Sequence, residues 1–168
     1  MDSLSGQNIV IMGGTTGLGL SAAKKLVAAG ANVVVTSRTQ ANVDAALAEL
    51  GPQARGFAAD AATPEAAERA VAMFDRQMRY LVVSRQWYCD YRLADRDLTG
   101  QCHYDVFPEI PDRWKEDHRR ALAGNVIRTD ADLFVRADGS SQWLSYELRP
   151  WRHADGTIGG LVMFTRDI

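Results

Sequence analysis

Gly13, Gly17 and Gly19 follow the apolar run Ile9-Val10-Ile11-Met12 and lead into residues at helical spacing. Strand, glycine turn and helix in that order build a phosphate cradle, because the unpaired N–H groups at a helix start face an anion. Each glycine has its own work. Gly13 permits a tight turn off the strand, Gly17 lets the backbone approach a pyrophosphate, and Gly19 lets helix and strand pack closely. The candidate phosphate-facing set is Gly13, Thr15, Gly17, Leu18 and Gly19. Glycines serving chain reversal alone would leave the same trace, so the flanking elements decide.

Those elements can be read on either side. A short unbroken apolar run such as Ile9 to Met12 is the pattern of a strand buried on both faces. Leu18 to Ala29 reads as a helix, with Leu20, Ala23, Leu26 and Val27 inward and Gly30 as its stop. Asn32 to Thr36 is a second strand, Gln40 to Leu50 a second helix, and Arg55 to Ala59 a third strand ending at Asp60. Thr63-Pro64 caps and starts a further helix, where proline's missing N–H is no loss. Strands alternating with helices imply a parallel sheet with right-handed crossovers.

Met12-Gly13-Gly14-Thr15-Thr16-Gly17-Leu18-Gly19 resembles the Thr-Gly-x-x-x-Gly-x-Gly motif of the short-chain dehydrogenase/reductase family, with Met12 in place of the threonine. The resemblance runs to about residue 72 and implies half of a Rossmann dinucleotide site. Ser37-Arg38 follows the second strand, where members preferring NAD carry an acidic residue. An arginine there suits a 2′-phosphate and implies NADP; a solvated surface arginine is the alternative. Asp60 matches the family aspartate beside the adenine, or is a helix-capping acid. The family's Asn-Asn-Ala-Gly strand end and its serine with Tyr-x-x-x-Lys do not follow. Tyr80 has Ser84 at that spacing and Tyr91 has Asp95, while the lysines are Lys24, Lys25 and Lys115. No catalytic residue is assigned, and dehydrogenase activity is not expected. A reductase pairing Tyr80 with Lys115 is the competing reading.

The second block has a different composition. Among Phe, Trp and Tyr residues, only Phe57 precedes residue 74, and all four Trp come later. Val71 to Asp75 and Arg79 to Ser84 read as a hairpin, with helices around Arg85 to Tyr91 and from Asp112, as N-cap, to Leu122. Leu133 to Arg136 and Gln142 to Leu148 flank the turn Ala137-Asp138-Gly139, and Asp155-Gly156 turns into Ile158 to Phe164. Phe74-Asp75, Tyr80-Leu81, Trp87, Leu98-Thr99-Gly100, His103-Tyr104-Asp105-Val106-Phe107-Pro108, Asp138-Gly139-Ser140 and Gly159-Gly160 resemble a bacterial PAS domain over residues 71–168. That resemblance implies a sheet-and-helix pocket that senses a ligand or pairs with another such domain, as a homodimer or with a signalling protein. Output would pass through another protein or the first block.

The expected fold is thus α/β plus α+β: a half-Rossmann of three parallel strands over residues 1–70, fused to a PAS-like five-stranded antiparallel sheet with short helices over residues 71–168. The leading function is a sensory or interaction module beside an incomplete NADP-binding segment. A short-chain oxidoreductase and a chimeric product without selected activity are the alternatives. The first strand, Ile9 to Met12, would be left as an open edge, covered by the second block or a second copy. Core packing is the expected use of Trp87, Trp114, Trp143 and Trp151. His103 or His118 could be named as a haem ligand, though hydrogen-bonded structure is the commoner use, and no metal site is proposed.

A net charge of −2 gives no reason to expect nucleic acid or an anionic membrane as partner. No apolar run approaches the roughly 20 residues of a membrane span. Cys89 and Cys102 form no CxxC pair, and Met1 to Ser5 lacks a basic leader region, so reduced thiols in a cytoplasm are expected.

Overall fold

The computed structural model describes residues 4–59, 69–93 and 96–168. Two compact units divide the chain: Met1–Ala67 with Trp151–Ile158, and Glu68–Pro150 with Gly159–Ile168. No helix among the described residues is long and apolar enough to cross a membrane.

The first unit begins β1 (Asn8–Ile11), α1 (Gly17–Ala28), β2 (Asn32–Ser37), α2 (Gln40–Leu50) and β3 (Ala54–Ala58). β2 lies parallel to β1 and to β3, with Ile9 opposite Val33 and Val33 opposite Ala54. Val33, Val34 and Val35 are fully buried, as a β-branched run at the centre of a parallel sheet should be. Thr39 caps α2 by accepting the Asn42 N–H, and Val43, Ala46, Leu47 and Leu50 form its inward stripe.

Two features of this unit differ from the sequence reading. β1 is not buried on both faces: Val10 is 41% and Met12 52% exposed, and β2 is its ladder partner. No cover for the other edge of β1 comes from a ladder among the described residues. β3 also gains an antiparallel neighbour, Arg55 pairing with His153 and Gly56 with Arg152. The helix expected from Thr63-Pro64 lies outside the described residues.

The second unit runs β4 (Ala70–Asp75), β5 (Tyr80–Val83), α3 (Arg85–Asp90), α4 (His103–Val106), α5 (Asp112–Leu122), β6 (Ile127–Val135), β7 (Ser141–His153) and β8 (Ile158–Asp167). Its strands lie in the order β6-β7-β8-β4-β5, and β4 is antiparallel to both β5 and β8. The sequence expectation placed Tyr80 to Ser84 in this hairpin, and Phe74 indeed faces Tyr80 across it. β6 and β7 extend further than the hydrophobic pattern indicates. A register shift between Thr129 and Asp132 breaks the alternation in β6, and β7 continues through Pro150, where no N–H can join a ladder.

One aromatic core fills this unit. Phe74, Tyr80, Trp87, Tyr91, Phe107, Trp114 and Phe134 are all buried together. α5 offers it Trp114, His118 and Ala121, at helical spacing, while ion pairs three residues apart line the solvent side. Pro111, not Asp112, is the N-cap; Asp112 sits in the first turn, where the helix dipole favours an acid.

The β3–α2 contact generates a stability test. A Cβ on Gly56 would stand 2.5 Å from Val43 Cγ1 and 3.1 Å from the Val35 carbonyl oxygen. Gly56→Ala should lower unfolding stability by about 1–3 kcal/mol in urea melts. Adding Val43→Ala should recover part of that loss, whereas additive losses would show that the clash is not the cause.

Candidate functional site: a glycine cradle and an aromatic cavity

In the first unit, the turn after β1 is fixed by β2. The buried Thr36 hydroxyl accepts the Gly13 N–H at 3.3 Å and donates to Met12 Sδ at 3.6 Å. The Met12 thioether is therefore held by the second strand. Thr36 was missed in the sequence reading, although a hydroxyl closing an otherwise apolar Val33-Val34-Val35 run was its signal. Gly13 has φ +77°, a backbone region that a side chain disfavours.

α1 then starts uncapped. Thr16 precedes it without a side-chain hydrogen bond, and its first turn holds no acid. The amides of Gly17, Leu18 and Gly19 thus have neither intrahelical acceptors nor a carboxylate before them, which suits an incoming phosphate. Gly17 has φ +53°, and a Cβ there would meet no atom within 4 Å, so open space lies beside the backbone. Gly19 is tight for a different reason: its Cβ would lie 2.4 Å from the Gly13 carbonyl oxygen, so only glycine lets helix and turn meet. Thr15 is buried, and Leu18 is 91% exposed, an apolar side chain left in solvent beside the cradle.

Ser37 ends β2 and Arg38 follows it, exposed and held by no ion pair among the described residues. The fold thus brings Gly13 to Gly19 and Ser37-Arg38 to neighbouring strand ends, since β1 and β2 are parallel partners. Asp60 lies outside the described residues. The residues present fit the phosphate part of a dinucleotide.

The groups named for a reductase are committed elsewhere. The Tyr80 hydroxyl is 2.6 Å from His103 Nδ1, and Lys115 Nζ is 3.1 Å from Asp112 Oδ1. Burial pushes the Tyr80 hydroxyl far above its ordinary range, the reverse of what a proton-transferring tyrosine needs.

Tyr80 belongs instead to the wall of a polar seam beside a cavity in the second unit. That cavity, about 30 Å³, is lined by Trp87, Tyr91, His103, Phe107, Trp114 and Phe134 among others. Ser84 positions Trp87, accepting its backbone N–H at 3.3 Å and that of Val71 at 2.9 Å. Tyr91 donates to Thr165 at 2.9 Å, and Tyr104 meets His118 Nδ1 at 3.0 Å. The imidazoles of His103 and His118 lie with centroids 5.6 Å apart and planes tilted by 56°. Desolvation holds both below the ordinary histidine range: His118 at about 4, and His103 well below it with His118 as the further cause. Three tryptophans, Trp87, Trp114 and Trp151, are buried as expected, whereas Trp143 is 52% exposed.

Comparison with known proteins divides the chain along similar lines. Residues 65–168 match the family model described as PAS fold, and residues 7–83 match that described as short chain dehydrogenase. An oxidoreductase of Sarocladium schorii is 48% identical over 52 residues, spanning 31% of this chain and 21% of that protein. A short-chain dehydrogenase/reductase of Acremonium sp is 39% identical over 83 residues, spanning 44% of this chain and 31% of that protein. The chain thus spans under a third of the length of these curated relatives. The PAS domain of a Colwellia psychrerythraea protein superposes with TM-score 0.51 at 16% identity, covering 60% of this chain and 86% of that one. An RNA-binding light-oxygen-voltage receptor superposes with TM-score 0.50 at 18% identity, covering 60% of this chain and 29% of that one. At such identities the likeness is one of fold.

The buried imidazoles give a pH test. Between about pH 6.5 and the lowered folded values, the unfolded chain binds protons that the folded chain refuses, so stability falls as pH falls. Urea melts of the second unit's core should be level above about pH 7 and lose up to roughly 1.4 kcal/mol per pH unit per histidine below 6.5. His118→Gln should flatten that slope, and a slope unchanged by it would remove His118 from the account.

Proposed function

Since the chain belongs to the PAS fold family through residues 65–168, we propose that it is a sensory or protein-interaction module, joined to a nucleotide-binding segment that does not transfer hydride. The observation that carries this reading is the double pairing of β4. Antiparallel partners occupy both its edges, which supports assigning the residues after position 70 to the module. On this reading residues 1–70 supply the cradle and residues 71–168 the sensor.

Gly13, Thr15, Gly17, Leu18 and Gly19 hold the pyrophosphate through backbone amides, and Ser37 with Arg38 receives a 2′-phosphate, so NADP is the preferred nucleotide. For Asp60 the proposed role is contact with the adenine. The bound nucleotide supplies no chemistry here, because Tyr80 and Lys115 face His103 and Asp112 rather than one another. The module pairs with a second copy or with a signalling protein. An NAD(P)-dependent oxidoreductase is the second reading, favoured by the names of the curated relatives.

Fluorescence titration separates these readings. NADPH should bind at least about tenfold more tightly than NADH, and Arg38→Asp should erase that preference, the loss of one charge-assisted phosphate contact being worth about 1.5–3 kcal/mol. Equal affinity, or no binding, would remove the cofactor. Steady turnover of carbonyl substrates with NADPH would overturn the non-enzymatic reading.

A further inference from the structure

We propose that Met12 is an oxidation site that regulates the glycine cradle: a hydroperoxide converts its thioether to the sulfoxide, and the turn loses support it takes from Thr36. This rests on the reading of the cradle as a nucleotide site and names a control on that site.

Two observations set Met12 apart from the other described methionines. The first is access. Met12 is 52% exposed, whereas Met73 and Met78 are each 3% and Met163 is 6% exposed. An oxidant must reach the sulfur, so burial protects those three and leaves Met12 open. The second is that the Met12 sulfur has a structural task. The Thr36 hydroxyl donates to Met12 Sδ at 3.6 Å, and its oxygen accepts the Gly13 N–H at 3.3 Å. One hydroxyl thus ties the residue that leaves β1 to the first amide of the glycine turn. Thr36 is 1% exposed, so water is poorly placed to replace the thioether as its acceptor.

The step is an oxygen transfer. A sulfur lone pair attacks the terminal peroxide oxygen, an S–O bond forms as the O–O bond breaks, and two electrons pass from sulfur to the peroxide. The proton of the attacked oxygen moves to the leaving oxygen, which departs as water or an alcohol. The thioether has two lone pairs and Thr36 uses one, so the new oxygen attaches on the side that Thr36 leaves free. The sulfur is then electron-poor and no longer attracts the hydroxyl. Either Met12 turns to offer its oxygen, or Thr36 keeps an unmet donor in a buried place. Both outcomes disturb the contact that holds Gly13. The polar sulfoxide oxygen also sits on the residue adjoining the cradle, where its partial negative charge opposes a phosphate.

Limited hydrogen peroxide treatment of the full chain tests this. Peptide mapping by mass spectrometry should find Met12 oxidised at least about tenfold faster than Met73, Met78 and Met163. In ¹⁵N–¹H spectra the Gly13 amide should shift in step with the Met12 sulfoxide fraction and return after treatment with a methionine sulfoxide reductase. NADPH affinity, read by fluorescence, should fall about two- to tenfold, the range for one lost hydrogen bond. Met12→Leu should show neither change on the same treatment. Oxidation of Met12 no faster than of the buried methionines, an unmoved Gly13 amide, or NADPH affinity undiminished by oxidation would overturn the proposal. An untreated chain that binds no NADPH would remove the cofactor reading alone, and the Gly13 shift would then decide whether Met12 controls the turn.

Discussion

A β-strand has two hydrogen-bonding edges, and the rest of this protein follows from how β4 uses its own. β5 takes one edge and β8 the other, both antiparallel. β4 so placed has no third edge to offer a parallel sheet, and it holds β5 antiparallel at its side. The stretch where the two family models overlap, residues 65–83, contains both β4 and β5. The competition there is resolved by backbone hydrogen bonds, and those of the described residues run to the antiparallel sheet.

The side chains follow the backbone. Alternation along β4 and β5 turns Ala70, Ala72, Phe74 and Tyr80 into the aromatic core. Tyr80 is thereby buried against His103, and burial raises its pKa when a catalytic tyrosine needs the opposite. The place of Tyr80 in that core is thus a consequence of strand pairing. The glycine turn takes its support from β2 through Thr36, within the first unit.

Much of this was legible in the sequence. α2 runs from Gln40 to Leu50 as its pattern places it, and α5 ends at Leu122 as expected though Pro111 and not Asp112 caps its start. The parallel order of β1 to β3 followed from alternating strands and helices, and the hairpin at Asp138-Gly139 from its turn residues, Gly139 having φ +82°. What was hidden depended on partners distant in the chain. Nothing near Pro150 announces that β7 continues to His153 and pairs with β3. The bulge between Thr129 and Asp132 concealed the start of β6. The exposure of Val10 and Trp143 reflects which sheet faces lack cover, a property no local window contains. His103 and His118 sat in polar-looking stretches, and only the fold revealed that tyrosines satisfy them in the core.

Cross-strand nuclear Overhauser contacts test the pairing of β4 most directly. Backbone contacts of Ala72 with Met163, of Phe74 with Leu161 and of Met73 with Val82 should all be present, in the short-range pattern of antiparallel neighbours. Absence of those contacts, with contacts from Leu81, Val82 and Val83 to Ile9, Val10 and Ile11 in a parallel register instead, would contradict the account, because β5 would then stand beside the glycine turn as a dehydrogenase requires and not beside β4.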